Sequence, residues 1–337
     1  MRAARGNRAS RARPKTSTSV DAGRRGPQDR WMIPRAAAAA LALSAALSVT
    51  GTHFRVDGHQ TFLLFVSYFD AMRRGDAAPD GLDADFAFFR GKVDGVRVFA
   101  NWLAYGCPPQ PATDTLFDLA GIDERRWPSL QRVLDKASEY GLAVDVTFDR
   151  DSVHRPGGMS QAAYVRALAD VTRRLKGRYA NVYFDLQNEW DNRGAHAITE
   201  PELREAAAAV HREDPGRLVT ASGAFVKDAG LDFAAIHDPR DRHWFEQAHY
   251  RDALVPGVAT HFQEPKSFSA FCPGQDKDDT PGRHAAAAAN ARKAGAAGWT
   301  FHTRTSFRMD KTYKGGASRY VDLASAAEKA ELSRLRR

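Results

Sequence analysis

Between residues 62 and 301 the chain alternates short apolar runs with longer stretches of helical periodicity. Eight runs have the length and composition of buried strands: 62–69, 96–100, 142–148, 182–186, 218–221, 233–236, 258–262 and 297–301. Between them the apolar spacing changes to the three-and-four pattern of a helix face. Segment 129–141 opens on Ser129, places Leu130, Val133, Leu134 and Ala137 on one stripe and ends at Gly141. Segment 160–178 opens on Ser160 and predicts a second, longer helix. Upstream, 54–62 alternates around Asp57-Gly58, which predicts a small hairpin.

Strands that alternate with helices need crossover connections and therefore form a parallel sheet. Eight of them in this length predict an α/β fold, a (β/α)8 TIM barrel built as a single domain, with the short N-terminal hairpin closing its bottom. An open doubly wound sheet would need a glycine-rich turn after its first strand, and Ser67–Met72 contains no glycine. Two connections are long, 101–127 and 263–283, and both leave the C-terminal ends of strands, where barrel enzymes build their sites.

Charge alters the reading of the first fifty residues only. Residues 1–35 carry ten Lys/Arg and two Asp/Glu, which accounts for the whole formal charge of +8; the remaining 39 basic and 39 acidic residues balance. The expected folded part has no basic excess, which removes the main argument for a nucleic-acid partner. After Arg35 comes AAAAALALSAALSV, a short apolar run bordered by small residues. Basic leader plus short apolar run reads as a signal peptide, too short for a stable membrane span, with Met32 an alternative start and Arg24-Arg25 a weak twin-arginine pattern. The expected division is 1–48 as leader and 49–337 as barrel, with a secreted, periplasmic or cell-envelope location. Cys107 and Cys272 are the only cysteines; they permit one bridge and offer no metal spacing.

The barrel assignment sends particular side chains to one rim. The second strand carries Arg97 and runs out into Asn101-Trp102. The third ends at Asp149, the fourth at Asn188-Glu189-Trp190, the sixth at His237, the seventh at His261-Phe262-Gln263-Glu264-Pro265, and the eighth carries Trp299 and His302. Glutamates on strands four and seven stand across the rim, and a pair of carboxyls is what glycoside hydrolysis requires. Indoles supply flat apolar platforms for sugar faces, while an arginine and an amide hold hydroxyls and carboxylates.

With these residues in order, the chain resembles a clan A glycoside hydrolase and is similar to glycoside hydrolase family 5, the cellulase-like and mannanase-like TIM barrels. The resemblance rests on GVRVFANW at 95–102, the Asn-Glu of FDLQNEWD at 184–191, HFQEP at 261–265 and AGWTFHT at 297–303. It implies a retaining mechanism, with Glu189 as acid/base, Glu264 as nucleophile, Asn188 on the sugar 2-hydroxyl, Arg97 beside the nucleophile and Trp299 as platform. Asn101, Trp102, Trp190, His237 and His302 complete the expected substrate-binding set. The resemblance further implies a carbohydrate substrate, a monomer, and neither cofactor nor metal. Three positions depart from the family pattern: Asp149 stands where a histidine is common, His237 where a tyrosine is common, and Pro265 where a small residue follows the nucleophile. Those departures keep open a carbohydrate-binding barrel without catalysis. A metal- or phosphate-dependent barrel is a third reading, although Ser67-Tyr68-Phe69 supplies no HxH pair.

Overall fold

The computed structural model describes residues 46–69, 71–77, 79–101, 104–105, 110–111, 115–150, 158–191, 198–237, 246–264, 283–302, 319–324 and 326–336. Residues 1–45 of the expected leader, Trp102, Cys107, Cys272 and Pro265 lie outside them, as does the side chain of Glu264.

Three strands open the fold, β1 (Leu47–Thr50), β2 (His53–Val56) and β3 (His59–Thr61), all antiparallel. The β2–β3 turn is the expected Asp57-Gly58, with both residues at positive φ (51° and 79°), the geometry that matches hairpin twist. Strand β1 was not foreseen: it takes Leu47 and Ser48, which the apolar pattern assigns to the leader. Asp57 explains its placement, accepting from the Ala46 backbone N–H at 2.8 Å, while Leu47 N–H donates to the Ala180 carbonyl at 2.9 Å.

Eight parallel strands form the barrel. They are β4 (Leu63–Ser67), β5 (Gly95–Phe99), β8 (Ala143–Thr147), β9 (Val182–Asp185), β10 (Val219–Thr220), β11 (Ala234–His237), β12 (Thr260–Glu264) and β13 (Gly298–Phe301). A short antiparallel pair, β6 (Ala104–Tyr105) and β7 (Gln110–Pro111), follows β5. The ladder runs β10-β9-β8-β5-β4-β13-β12-β11. It is nearly closed between β10 and β11, where Ser222 bridges Ala235 and Thr220 Oγ1 donates to the Phe233 carbonyl at 2.8 Å. All eight predicted strands are present.

Helices α1 (Ala71–Ala77), α2 (Pro79–Phe89), α3 (Trp127–Glu139), α4 (Gln161–Leu175), α5 (Glu200–Glu213), α6 (Gln247–Ala253), α7 (Arg283–Ala294), α8 (Tyr320–Leu323) and α9 (Ala326–Leu332) accompany the strands. The expected helix over 160–178 is α4, capped by Ser160, which accepts from Ala163 N–H at 3.3 Å. Ser129 does not cap α3, which starts at Trp127 with Arg126 at the N-cap position. Pro128 is the reason: its fixed φ suits the first helical turn, so the helix begins before the serine.

Two apolar clusters divide the interior. The larger lies between strands and helices, and the smaller fills the barrel bottom with Phe54, Leu63, Phe65, Tyr183, Phe233 and their neighbours. Phe54 of the hairpin is fully buried and meets Phe233 edge-on at 4.8 Å, so β2 plugs the barrel. Gly95 makes room for this layer, because a Cβ there would lie 2.5 Å from the Phe65 ring and from the Ala143 carbonyl oxygen.

Candidate active site

Strand alternation decides which side chains enter the barrel. On β8, Ala143 and Asp145 face inward and Val144 and Val146 face the helices; on β9, Tyr183 and Asp185 face inward. Above the aromatic bottom layer the interior is polar. Register sets Arg97 level with Asp145, and Asp145 level with Tyr183.

Arg97 is 1% exposed and ties this layer together. Its Nε donates to Thr147 Oγ1 at 2.8 Å, and its Nη2 donates to Asp185 Oδ2 at 2.7 Å, to Asn188 Oδ1 at 3.1 Å and to Ser222 Oγ at 3.1 Å. Its Nη1 stands 3.4 Å from His237 Nε2. One guanidinium thus reaches from strand two to groups on strands three to six. Two buried carboxylates, Asp145 and Asp185, face it. Burial pushes Asp145 up to about 7; Arg97 opposes that shift, and the charge of Asp185 adds to it.

Fully paired polar groups in a dry interior hold their geometry, and here they support the fourth strand's exit. Phe148 carbonyl accepts from Asn188 N–H at 3.0 Å, and Tyr164 of α4 donates its hydroxyl to the Leu186 carbonyl. Gln187 donates to Asp149 Oδ1 at 2.9 Å and accepts from Arg150 N–H at 2.9 Å. Ser222 then takes over: its Oγ accepts from Glu189 N–H at 3.2 Å and its carbonyl from Trp190 N–H at 3.0 Å.

Glu189 adopts φ +49°, a left-handed conformation that a residue with a Cβ occupies at a cost of about 1–2 kcal/mol. The turn breaks the pleat. Consecutive residues Asn188 and Glu189 therefore both meet rim groups, Asn188 at Arg97 and Glu189 at His237, where Oε1 lies 3.2 Å from Nδ1. The far nitrogen of His237, Nε2, lies 2.7 Å from Gln263 Oε1, and Gln263 Nε2 donates to Asp145 Oδ2 at 3.3 Å.

The remaining expected site residues divide. His302 comes to the rim, 4% exposed, its Nδ1 at 2.6 Å from Ser67 Oγ and its ring beside Phe69. Asn101 is fully buried at the end of strand two, and neither end of its amide has a hydrogen-bond partner among the described residues. Trp190 is 9% exposed and donates Nε1–H to the Ala224 carbonyl at 2.6 Å. It is seated on the end of strand five, where Gly223 takes φ +129° and a Cβ would meet Asp191 at 2.3 Å. Trp299 is a correction. It is fully buried, stacked on Phe301 at 5.3 Å and packed in the cluster beneath the helices, so it offers no platform to a sugar. Gly298 and Thr300 take the inward positions of β13, and alternation turns residue 299 outward. Glu264 ends β12 in register with Phe301.

Asp145, Asp185, Gln187, Ser222 and Gln263 were not singled out from the sequence. The signal was present: Asp145-x-Thr147-x-Asp149 and Asp185-x-Gln187 place polar residues at period two within runs otherwise suited to burial.

No protein-family profile matches the sequence, and no curated protein matches it. Solved structures do match in fold. A candidate glycoside hydrolase from Bacteroides vulgatus superposes with a TM-score of 0.68 at 15% identity, over 88% of this chain and 61% of that one, so the present chain spans about three fifths of its length. A glycoside hydrolase family 5 protein from the same organism gives 0.62 at 14% identity, over 86% of this chain and 69% of that one. A β-mannanase from the blue mussel Mytilus edulis gives 0.54 at 16% identity, over 84% of this chain and 98% of that one. In fold, the chain is a (β/α)8 barrel similar to the clan A barrels of glycoside hydrolase family 5.

Proposed function

We propose that the protein is a retaining glycoside hydrolase that cleaves β-linked oligo- or polysaccharides, with Glu189 as acid/base and Glu264 as nucleophile. One observation carries the reading: the chain adopts a strained left-handed turn at Glu189 and so presents Asn188 and Glu189 together at the C-terminal rim. Backbone strain at a rim carboxylate is retained where the surroundings over-determine it, and such positions cluster at active sites. Arg97 aligns Asn188, and His237 holds the Glu189 carboxyl.

In the first step Glu189 protonates the leaving glycosidic oxygen while Glu264 attacks the anomeric carbon. In the second Glu189 takes a proton from a water whose oxygen attacks the anomeric carbon, and the bond between that carbon and Glu264 breaks to free the carboxylate. This requires carboxyls about 5–5.5 Å apart. The β-mannanase among the similar folds makes mannan-type oligosaccharides the first substrates to try, with β-linked glucans beside them. The basic leader and apolar run support an exported protein.

A second reading is favoured by one observation: the inward-facing side chain near the end of β12 is the amide of Gln263, not a carboxylate. On that reading the barrel binds carbohydrate without cleaving it. Both are tested by incubating the chain with a panel of β-linked manno- and gluco-oligosaccharides and following the first-formed products by proton NMR. Release of the β-anomer supports the retaining hydrolase, and the α-anomer overturns the double displacement with Glu264 as nucleophile. Binding without turnover across the panel establishes the second reading.

A further inference from the structure

Below Glu189 a line of hydrogen-bonding groups runs into the barrel: Glu189, His237, Gln263, Asp145, with contacts of 3.2, 2.7 and 3.3 Å. Its lower members are closed to solvent, Gln263 at 1% and Asp145 at 0% exposure. Each member restricts the next. An ionised carboxylate only accepts, an amide donates at one end and accepts at the other, and a neutral imidazole donates from one nitrogen and accepts at the other.

We propose that Asp145 and Gln263 are positioning residues that set which nitrogen of His237 carries the proton, and thereby whether Glu189 meets His237 as a proton donor or as a carboxylate. The inference rests on the reading of Glu189 as the acid/base. With Asp145 ionised, the Gln263 NH2 donates to it, and the Gln263 carbonyl accepts from His237 Nε2–H. The Nδ1 lone pair then faces Glu189 and favours its protonated form. With Asp145 protonated, its O–H donates to the Gln263 carbonyl and the amide turns over. The NH2 donates to Nε2, and Nδ1–H then donates to a Glu189 carboxylate.

The two arrangements hold equal numbers of protons. One proton sits on Glu189 in the first and on Asp145 in the second, the His237 proton sits on Nε2 in the first and on Nδ1 in the second, and no bond is made or broken in the amide. The first suits the protonating half of a double displacement, the second the half in which Glu189 acts as base.

The surroundings leave both arrangements open. Asp145 is faced by Arg97 from β5, by Thr147 on its own strand, by Tyr183 and Asp185 from β9, and by Gln263 from β12. Two carboxylates sharing one arginine leave a net negative charge in a buried layer, which makes one of them a site for a proton. His237 is faced by Arg97, Glu189 and Gln263. Arg97 Nη1, itself a donor 3.4 Å away, opposes a proton on Nε2; the 2.7 Å contact with Gln263 outweighs it.

Nitrogen-15 NMR of the histidine-labelled full chain reads the tautomer directly and needs no substrate. At alkaline pH the wild type is expected to hold His237 with its proton on Nε2. Asp145→Asn, which presents either polarity to Gln263, and Gln263→Leu, which cuts the line without touching a charge, each shift the tautomer ratio by about threefold or more. The same tautomer in wild type and in both variants overturns the proposal. With a cleaved substrate in hand, the alkaline limb of kcat/KM moves by about half a pH unit or more in Asp145→Asn; an unmoved limb also overturns it. A chain that cleaves no glycan refutes the hydrolase reading and leaves the tautomer result to decide this one.

Discussion

At the scale of the residue, Glu189 holds a conformation that suits glycine or asparagine. Asparagine tolerates left-handed φ, so Glu189→Asn relieves strain while removing the proposed acid/base. The melting temperature is expected to hold or rise slightly, with turnover falling about 10²–10⁴-fold. A drop of several degrees in a thermal melt means that Glu189 is kept for stability. Trp299 makes the opposite case. Its full burial and its stacking on Phe301 predict that Trp299→Ala costs about 3–5 kcal/mol in chemical denaturation. Unchanged stability with weakened sugar binding would restore the platform role. The sequence placed Trp299 on the eighth strand but not on a face of it, because a short buried run is apolar on both sides. Glu189 was legible as a rim acid, whereas its positive φ was not, since no glycine or asparagine marks the position.

At the scale of the element, strand boundaries and the hairpin turn were readable because their signals are local: β-branched and aromatic runs, and Asp57-Gly58 for the primed turn. The start of α3 was missed by two residues because a capping signal at Ser129 competed with Pro128, and the proline prevailed. The polar layer inside β5, β8, β9 and β12 was legible only as a period-two pattern, and its meaning depends on the register that sets Arg97 against Asp145. That layer has a consequence for stability. Asp145 is raised from 3.8 to about 7 by burial first, so between those values the native state holds a proton that the unfolded chain has released. Its contribution is complete below about pH 4 and is lost as pH rises through about 7. Asp145→Asn removes the dependence. Between pH 5.5 and 8 the wild type is therefore expected to lose about 1–2 kcal/mol more than the variant in urea titrations. Parallel losses in both would show that the buried carboxylate stays ionised throughout.

At the scale of the whole molecule, eight parallel strands joined by crossovers explain both the fold and the convergence of groups from strands three to six on one arginine of strand two. The hairpin seals the bottom with Phe54, and the rim is left to carry chemistry. Strand count and order were legible because the helix-strand alternation repeats along the chain; which rim groups touch was not, since it depends on barrel closure between β10 and β11. Among the described residues no helix is long and apolar enough to cross a membrane. The proposed function depends first on Glu189 as the acid/base of a glycosidase. It is tested most directly by the turnover of Glu189→Gln against wild type on one β-linked oligosaccharide, at equal folding by circular dichroism. The kcat is expected to fall about 10²–10⁴-fold with binding retained. Turnover at the wild-type rate would contradict it.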